Sequence, residues 1–215
     1  MKQKSNLILW LAILSFLGSC FAFFFLPDRI PIHFNSTWEA DGYGPKEMIF
    51  LLASLPVAIM GLFQVLPKID PKKSNYLKHS GIFHLMRNII VISMIGMNWL
   101  SIALSFYEDW NIKRILPIFT GIILILIGNY LPKMKSNYFV GIKTPWALAN
   151  ETVWRKTHKF GGYVFVIYGF LTMMSGIIIN DYFQKALALG IFVMVIIIFG
   201  YSYWTYRKEN EKNQS

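Results

Sequence analysis

Charge is scarce in this chain. Of its 215 residues 15% are charged and 55% are hydrophobic, whereas about a quarter of an ordinary soluble domain is charged, so a water-soluble globular domain is excluded. Acidic residues are scarcer still, 11 against 21 Lys and Arg. No Asp, Glu, Lys or Arg falls near the centre of an apolar run, which argues against an ion- or proton-coupled transport path. Cysteine is down to one residue, Cys20, so no internal disulfide can form. Low-complexity segments, a nucleophile elbow, a metal-ligand pair at motif spacing and a phosphate-binding glycine loop are also missing. Each absence removes a class of soluble enzyme.

What remains is apolar length. Predominantly apolar runs of roughly 17 residues or more match a hydrocarbon core of about 30 Å, and six spans are read: Leu7 to Leu26, Met48 to Leu66, Phe83 to Phe106, Ile115 to Leu131, Tyr163 to Ile179, and Ala186 to Trp204. The fold class is therefore all-α, a polytopic membrane protein with six transmembrane helices. The third span begins least cleanly, with His84, Arg87 and Asn88 at its start. Pro56, Gln64, Asn98 and Asn129 interrupt the apolar pattern and are expected to face the bundle interior. Leu17-Gly18-Ser19-Cys20 follows Lys2 and Lys4 like a lipoprotein cleavage box, but the apolar run continues through Phe25, so the first span is read as uncleaved.

Six spans put both termini on one side, and the basic residues say which. All Lys and Arg except Arg29, Lys46, Lys113, Arg114 and Lys185 fall on the side of the termini, making that side cytoplasmic. Asp28, Glu39, Asp41, Glu47, Glu108, Asp109 and Asp181 lie opposite. The net charge of +10 and the pI near 9.6 then describe basic loops against an anionic lipid bilayer, with no direct nucleic-acid partner required.

Two loops carry specific side chains. The outer loop, 27–46, has prolines that keep Ile30 to Asn35 extended, and Asp41-Gly42 is a turn signal. Phe34, Trp38 and Tyr43 supply an aromatic surface. His33 with Glu39 and Asp41 has the ligand types of a metal site but fits no strong metal spacing. The reading is a structured, peptide-contacting loop with Pro31, His33, Asn35, Asp41 and Gly42 as contact candidates, and no metal.

The cytoplasmic loop, 132–162, is denser. Thr144-Pro145 can cap and open a helical turn, and Asn150 with Glu151 behind it can open another. Trp154, Thr157 and Phe160 would line one side of an interfacial amphipathic helix, which Gly161-Gly162 would turn into the fifth span. Glu151 and His158 are two helical turns apart with Thr157 adjoining, the acid, imidazole and hydroxyl of acid–base chemistry. His79 and His84 join them on the same side. The alternative to a non-enzymatic protein is thus a membrane-embedded enzyme or small-ligand transporter using this loop. The favoured reading assigns no catalytic residue and no cofactor, and gives the loop a structural or partner-binding role. A shorter echo links two loops: Leu66-Pro67-Lys68 with Lys73-Ser74-Asn75-Tyr76, and Leu131-Pro132-Lys133 with Lys135-Ser136-Asn137-Tyr138. It reads either as a repeat of helix exits or as shared punctuation.

Gly141-Ile142-Lys143-Thr144-Pro145-Trp146-Ala147-Leu148, then Val153-Trp154, Thr157-His158-Lys159 and Gly161-Gly162, closely resembles the signature of the SdpI family of bacterial immunity proteins. Ile30-Pro31-Ile32-His33-Phe34-Asn35 with Asp41-Gly42-Tyr43 and Lys46 resembles the N-terminal module of unknown function that accompanies it. The resemblance implies a two-span module over 1–82 and a four-span module over 83–215, in a bacterial cell membrane. It further implies protection against a secreted SdpC-type peptide toxin, and a receptor role that holds an ArsR-type repressor at the membrane. Carried over by motif, the signature-loop candidates are Tyr138, Gly141, Lys143, Thr144, Pro145, Trp146, Glu151, Trp154, Thr157, His158 and Gly161. Departures are Lys143 and Lys159 where the family pattern has Arg, Ala147 where it has Thr, and Trp38 where it commonly has Gly. Lysine keeps the charge but loses the planar fork of arginine.

Overall fold

The computed structural model describes residues 2–78, 80–107 and 110–212. His79, Glu108 and Asp109 lie outside the described residues. Helix α1 (Lys2–Ala22) ends in a 3-10 turn at Phe23–Phe25 and leads into a hairpin of β1 (Arg29–Phe34) and β2 (Ala40–Pro45). There follow α2 (Met48–Ile69), α3 (Lys73–Lys78), α4 (Ser80–Phe106), α5 (Ile112–Tyr130) with a 3-10 turn at Leu131–Lys133, α6 (Pro145–Ala149), α7 (Glu151–Ile178) and α8 (Asp181–Lys212). The six long helices are each apolar enough to cross a membrane. Their outward faces agree: Phe192 and Ile196 are each 69% exposed, a surface that belongs against hydrocarbon rather than water. The chain is a multi-pass, mostly helical membrane protein.

The hairpin is the one sheet among the described residues, and its turn is not where the sequence suggested. Asp41 and Gly42 lie inside β2, with Gly42 opposite His33 at an irregular point of the register. The reversal is made by Asn35 instead. Its side-chain oxygen accepts from the backbone N–H of Thr37 at 2.9 Å and of Glu39 at 3.0 Å, an Asx-type turn that supplies its own hydrogen bonds. Trp38 sits in this turn at φ +62°, a conformation that favours glycine. Gly42 is required for another reason: a Cβ there would lie 2.7 Å from the Cβ of His33.

Helices α1, α2 and α4 pack on one another, and α5, α7 and α8 form a second group. In the first group Ile8, Ala12, Met60 and Val91 make the core, and Asn98 donates to Ser19 Oγ across it at 2.8 Å. Ile30 of the hairpin is buried with Leu26, Ile49 and Ile102, so the strands are seated on this group. Pro56 and Asn98 are buried as expected, whereas Gln64 and Asn129 are exposed. Both sit one turn from a loop, where a long or polar side chain reaches the headgroup layer without crossing hydrocarbon.

The second group is built on close backbone approach. Gly121 and Gly128 of α5 face Gly169 and Gly162 of the antiparallel α7. A Cβ on Gly121 would stand 2.5 Å from the Gly169 carbonyl oxygen, and one on Gly162 would stand 2.7 Å from that of Gly128. Small residues at this spacing let two membrane helices touch main chain to main chain. The expectation that Gly161-Gly162 turns the chain is therefore overturned. Helix α7 runs unbroken through both, because Gly162 is a packing position against α5, and the amphipathic segment is simply the first part of the span.

Gly169→Val should lower the thermal unfolding temperature of the detergent-solubilised protein, with a cost of about 1–3 kcal/mol or more from overpacking. Gly61→Ala, at a site with nothing within 4 Å of an added Cβ, should leave it unchanged. Equal behaviour of the two variants would refute the close-packing account.

Candidate functional site

The signature loop is assembled on a buried carboxylate from another loop. Asp70, just past α2, is 2% exposed. One of its oxygens accepts from the Lys72 backbone N–H at 2.7 Å, and the other from the Tyr76 hydroxyl at 2.6 Å and the Tyr138 backbone N–H at 2.9 Å. Burial, reinforced by the Asp70 hydrogen bond, pushes the Tyr76 phenol above its ordinary range, so it remains the donor. Asn137 holds the other strand of the contact. Its oxygen accepts from Phe139 and Val140 N–H, and its amide donates to the Lys135 and Val140 carbonyls. Lys72 reaches Ser136 Oγ at 2.5 Å and the Leu148 carbonyl at 3.2 Å, while Asn75 donates to the Ser136 carbonyl at 2.7 Å. The two echoed segments thus meet physically. Asp70, Lys72, Tyr76 and Asn137 escaped the sequence-based site, although the echo ran through three of them or their neighbours.

The second layer is centred on His158, which is fully buried. The Ile142 backbone N–H points at Nε2 from 3.0 Å, so Nε2 must accept and the ring proton sits on Nδ1, 2.9 Å from the Trp154 carbonyl. This is a neutral imidazole with both nitrogens engaged. Gly141 makes the approach possible: it adopts φ +112°, and a Cβ there would fall 2.5 Å from Nε2. Trp154 stacks on the imidazole at 3.9 Å and donates its indole N–H to the Met134 carbonyl at 2.9 Å. Gly161 is buried where the end of Ile142 packs over it.

The two helix starts form as the sequence indicates. Thr144 accepts from Ala147 N–H with Pro145 in the first helical turn, and Asn150 accepts from Thr152 and Val153 N–H with Glu151 behind it. Thr144, Ser202 of α8 and Thr157 form a buried hydroxyl chain, with Thr144 Oγ1 2.6 Å and Thr157 Oγ1 3.1 Å from Ser202 Oγ. Trp146 packs against Tyr203. Lys143 and Tyr138 stay exposed, Lys143 donating to the Phe139 carbonyl. Trp154, Thr157 and His158 are fully buried rather than lying on an interfacial face. Glu151 is exposed, so the structure does not bring it to His158, and the acid–imidazole pair of the enzymatic alternative is not assembled. His84 lies on α4, outside this contact set.

At the opposite end the hairpin presents its own polar set. His33 Nδ1 is 2.6 Å from Asp41 Oδ1, both side chains open to solvent. Glu39 turns away from them to Lys113 at 2.8 Å, and Lys113 also holds Asp181 at 3.1 Å. The three residues weighed as metal ligands therefore do not converge. Pro31 is buried, its carbonyl accepting from Ser101 Oγ at 2.6 Å. Lys113 thus ties the tip of the hairpin to the starts of α5 and α8.

The hydrogen bond from Lys113, with those from Asn35 and Thr37, brings the Glu39 carboxyl down to about 2 from its ordinary 4.5. A depressed carboxylate stabilises the fold above its unfolded value and loses that contribution as pH falls through the folded one, here between 4.5 and about 2. Carboxyl-carbon NMR should find Glu39 titrating in that acid range and moving upward in Lys113→Gln. An unmoved midpoint would show that Lys113 is not the cause.

His158→Ala strands the half-buried Ile142 N–H and empties a buried site, and should cost about 1–3 kcal/mol in unfolding, whereas Glu151→Gln should change stability by no more than about 0.5 kcal/mol. Thermal unfolding of both variants tests this. Comparable losses would restore the coupled pair.

Residues 133–203 match the SdpI/YfhL protein family, and residues 10–56 match a domain of unknown function, DUF1648. The chain is similar to "Immunity protein SdpI" of Bacillus subtilis (strain 168), 26% identical over 209 residues that cover 97% of this chain and 99% of that protein. No solved structure matches. The SdpI/YfhL match contains Asn137, Gly141, Trp154, His158 and Ser202 of the interlocked loop but not Asp70, Lys72 or Tyr76, and the DUF1648 match contains the whole hairpin. The chain thus resembles the SdpI/YfhL family through residues 133–203, and is similar along nearly its whole length to a protein named for immunity.

Proposed function

We propose that this protein is a non-enzymatic immunity protein of a bacterial cell membrane, protecting the cell from a secreted SdpC-type peptide toxin. The full-length similarity to a protein named for immunity carries this reading. The site supports it in a negative and a positive way. Its imidazole, indole and hydroxyls are engaged by packing and hydrogen bonds, with no aligned acid–base pair there among the described residues, while His33 and Asp41 of the hairpin stay open to solvent.

By the bias of Lys and Arg, the termini and the signature loop are cytoplasmic and the hairpin faces outward. An arriving toxin then meets His33, Asp41 and the neighbouring Asn35 turn first. The two-span and four-span modules divide the work: the N-terminal one, 1–82, offers the outer contact, and 83–215 supplies the interlocked inner loop. That loop would report inward by holding an ArsR-type repressor, with exposed Tyr138 and Lys143 on its surface.

Expression in a toxin-sensitive strain should keep the membrane potential intact during toxin challenge, and His33→Ala with Asp41→Ala should weaken that protection while leaving membrane insertion unchanged. Depolarisation equal to that of cells lacking the protein refutes immunity against that toxin. A reporter of repressor release, read in Tyr138→Ala and Lys143→Ala, separates the signalling arm: loss of induction with resistance preserved supports it.

A further inference from the structure

Beyond the signature loop, the facing ends of α7 and α8 leave a groove of about 450 Å³. Lysine lines it from both helices: Lys156 and Lys159 from α7, Lys208 and Lys212 from α8, against the single carboxylate of Glu209. The spacing makes this a built feature, because positions 156, 159 and 163 of α7, like 201, 204, 208 and 212 of α8, recur at helical period on one face each. Glu209 is held by Lys156 at 2.6 Å. Lys159 and Lys208 have no carboxylate within ion-pair distance among the described residues, and Lys208 instead lies 5.1 Å above the Trp204 ring.

Toward the membrane the groove turns aromatic. Phe160 and Tyr201 stack across the helix pair at 4.1 Å and close its floor. Tyr163 and Trp204 stand beside them, 60% and 56% exposed, as aromatic side chains do at the level of lipid headgroups. A polar group inside the groove is also unaccounted for: Thr205 lines it, is 2% exposed, and its hydroxyl has no hydrogen-bond partner.

We propose that this groove binds the headgroup of an anionic phospholipid. The phosphate sits between Lys159 and Lys208, the Thr205 hydroxyl donates to a phosphate oxygen after a side-chain rotation, and the glycerol and upper acyl chain run down past Tyr163 and Trp204. Charge selects the anionic class, since a zwitterionic headgroup brings a second cation into a groove already rich in lysine. The aromatic wall selects a lipid over a soluble anion, because a free phosphate makes no use of it. This assignment depends neither on the toxin nor on which way the protein faces.

The test uses the full-length protein in nanodiscs of phosphatidylcholine with phosphatidylglycerol, with native mass spectrometry counting the lipids retained on release. The wild type should keep phosphatidylglycerol preferentially. Replacing Lys159 and Lys208 by Gln should weaken retention about fivefold for each lysine, Lys159→Arg with Lys208→Arg should keep it, and Thr205→Val should reduce it to a smaller extent. Lys133→Gln with Lys135→Gln, which removes two basic residues elsewhere on the same end of the molecule, should leave it unchanged. Unaltered retention in the Gln pair overturns the proposal. So does an equal loss in the Lys133 and Lys135 control, which means diffuse surface charge, or displacement by inorganic phosphate at the affinity of the lipid, which means a soluble-anion site.

Discussion

Where Gly121 meets Gly169 and Gly128 meets Gly162, two helix backbones touch with no side chain between them, and much of the second helix group takes its geometry from that contact. Between helices in a bilayer there is little hydrophobic drive, because lipid tails are as apolar as the side chains; association relies on close dispersion contact and hydrogen bonds. Glycines seven apart on both helices repeat the same approach along the pair. Once α7 is set against α5 at this distance, its first turns are carried beyond the apolar region. There Trp154 and His158 receive the Met134 carbonyl and the Ile142 amide. The signature loop is therefore downstream of the glycine contact: shift α7 outward by a methyl group and both hydrogen bonds lengthen together.

The polar interior of that loop is nearly closed on itself. Asp70, Asn137 and His158 each accept from a backbone N–H of an irregular segment, which has no helix to satisfy it. Such groups cost little when fully paired and much when one partner is lost. Here imidazole and indole serve as structural parts. The open polar groups are displaced to the hairpin and to the lysines of the α7–α8 groove.

How much of this could be read from residues alone depended on the range of each interaction. The six spans were legible because hydropathy is local and additive, and the starts at Thr144 and Asn150 because a cap bonds only two or three residues on. The hairpin turn was misassigned because Asp41-Gly42 and Asn35 offer competing turn chemistry, and the decisive factor was the pairing of Gly42 with His33 across the strands. Gly161-Gly162 was read as punctuation; its packing against α5 shows only when 128 and 162 are placed side by side. The enzymatic alternative for His158 rested on Glu151 at helical spacing, yet the imidazole's partner is an amide at Ile142, next to a glycine of positive φ. None of these long-range pairings leaves a mark in a local pattern.

The docking of the two echoed loops has a consequence for biogenesis. The segment with Asp70, Lys72, Asn75 and Tyr76 leaves the ribosome some sixty residues before Ser136, Asn137 and Tyr138 exist to receive it. Until two more spans have been inserted, those polar groups remain in water and the first three helices have an unsealed edge. Final closure is thus a late event, made only when the chain has grown through its fourth span, so an arrested or shortened chain presents an open polar seam to the quality-control proteases of the membrane.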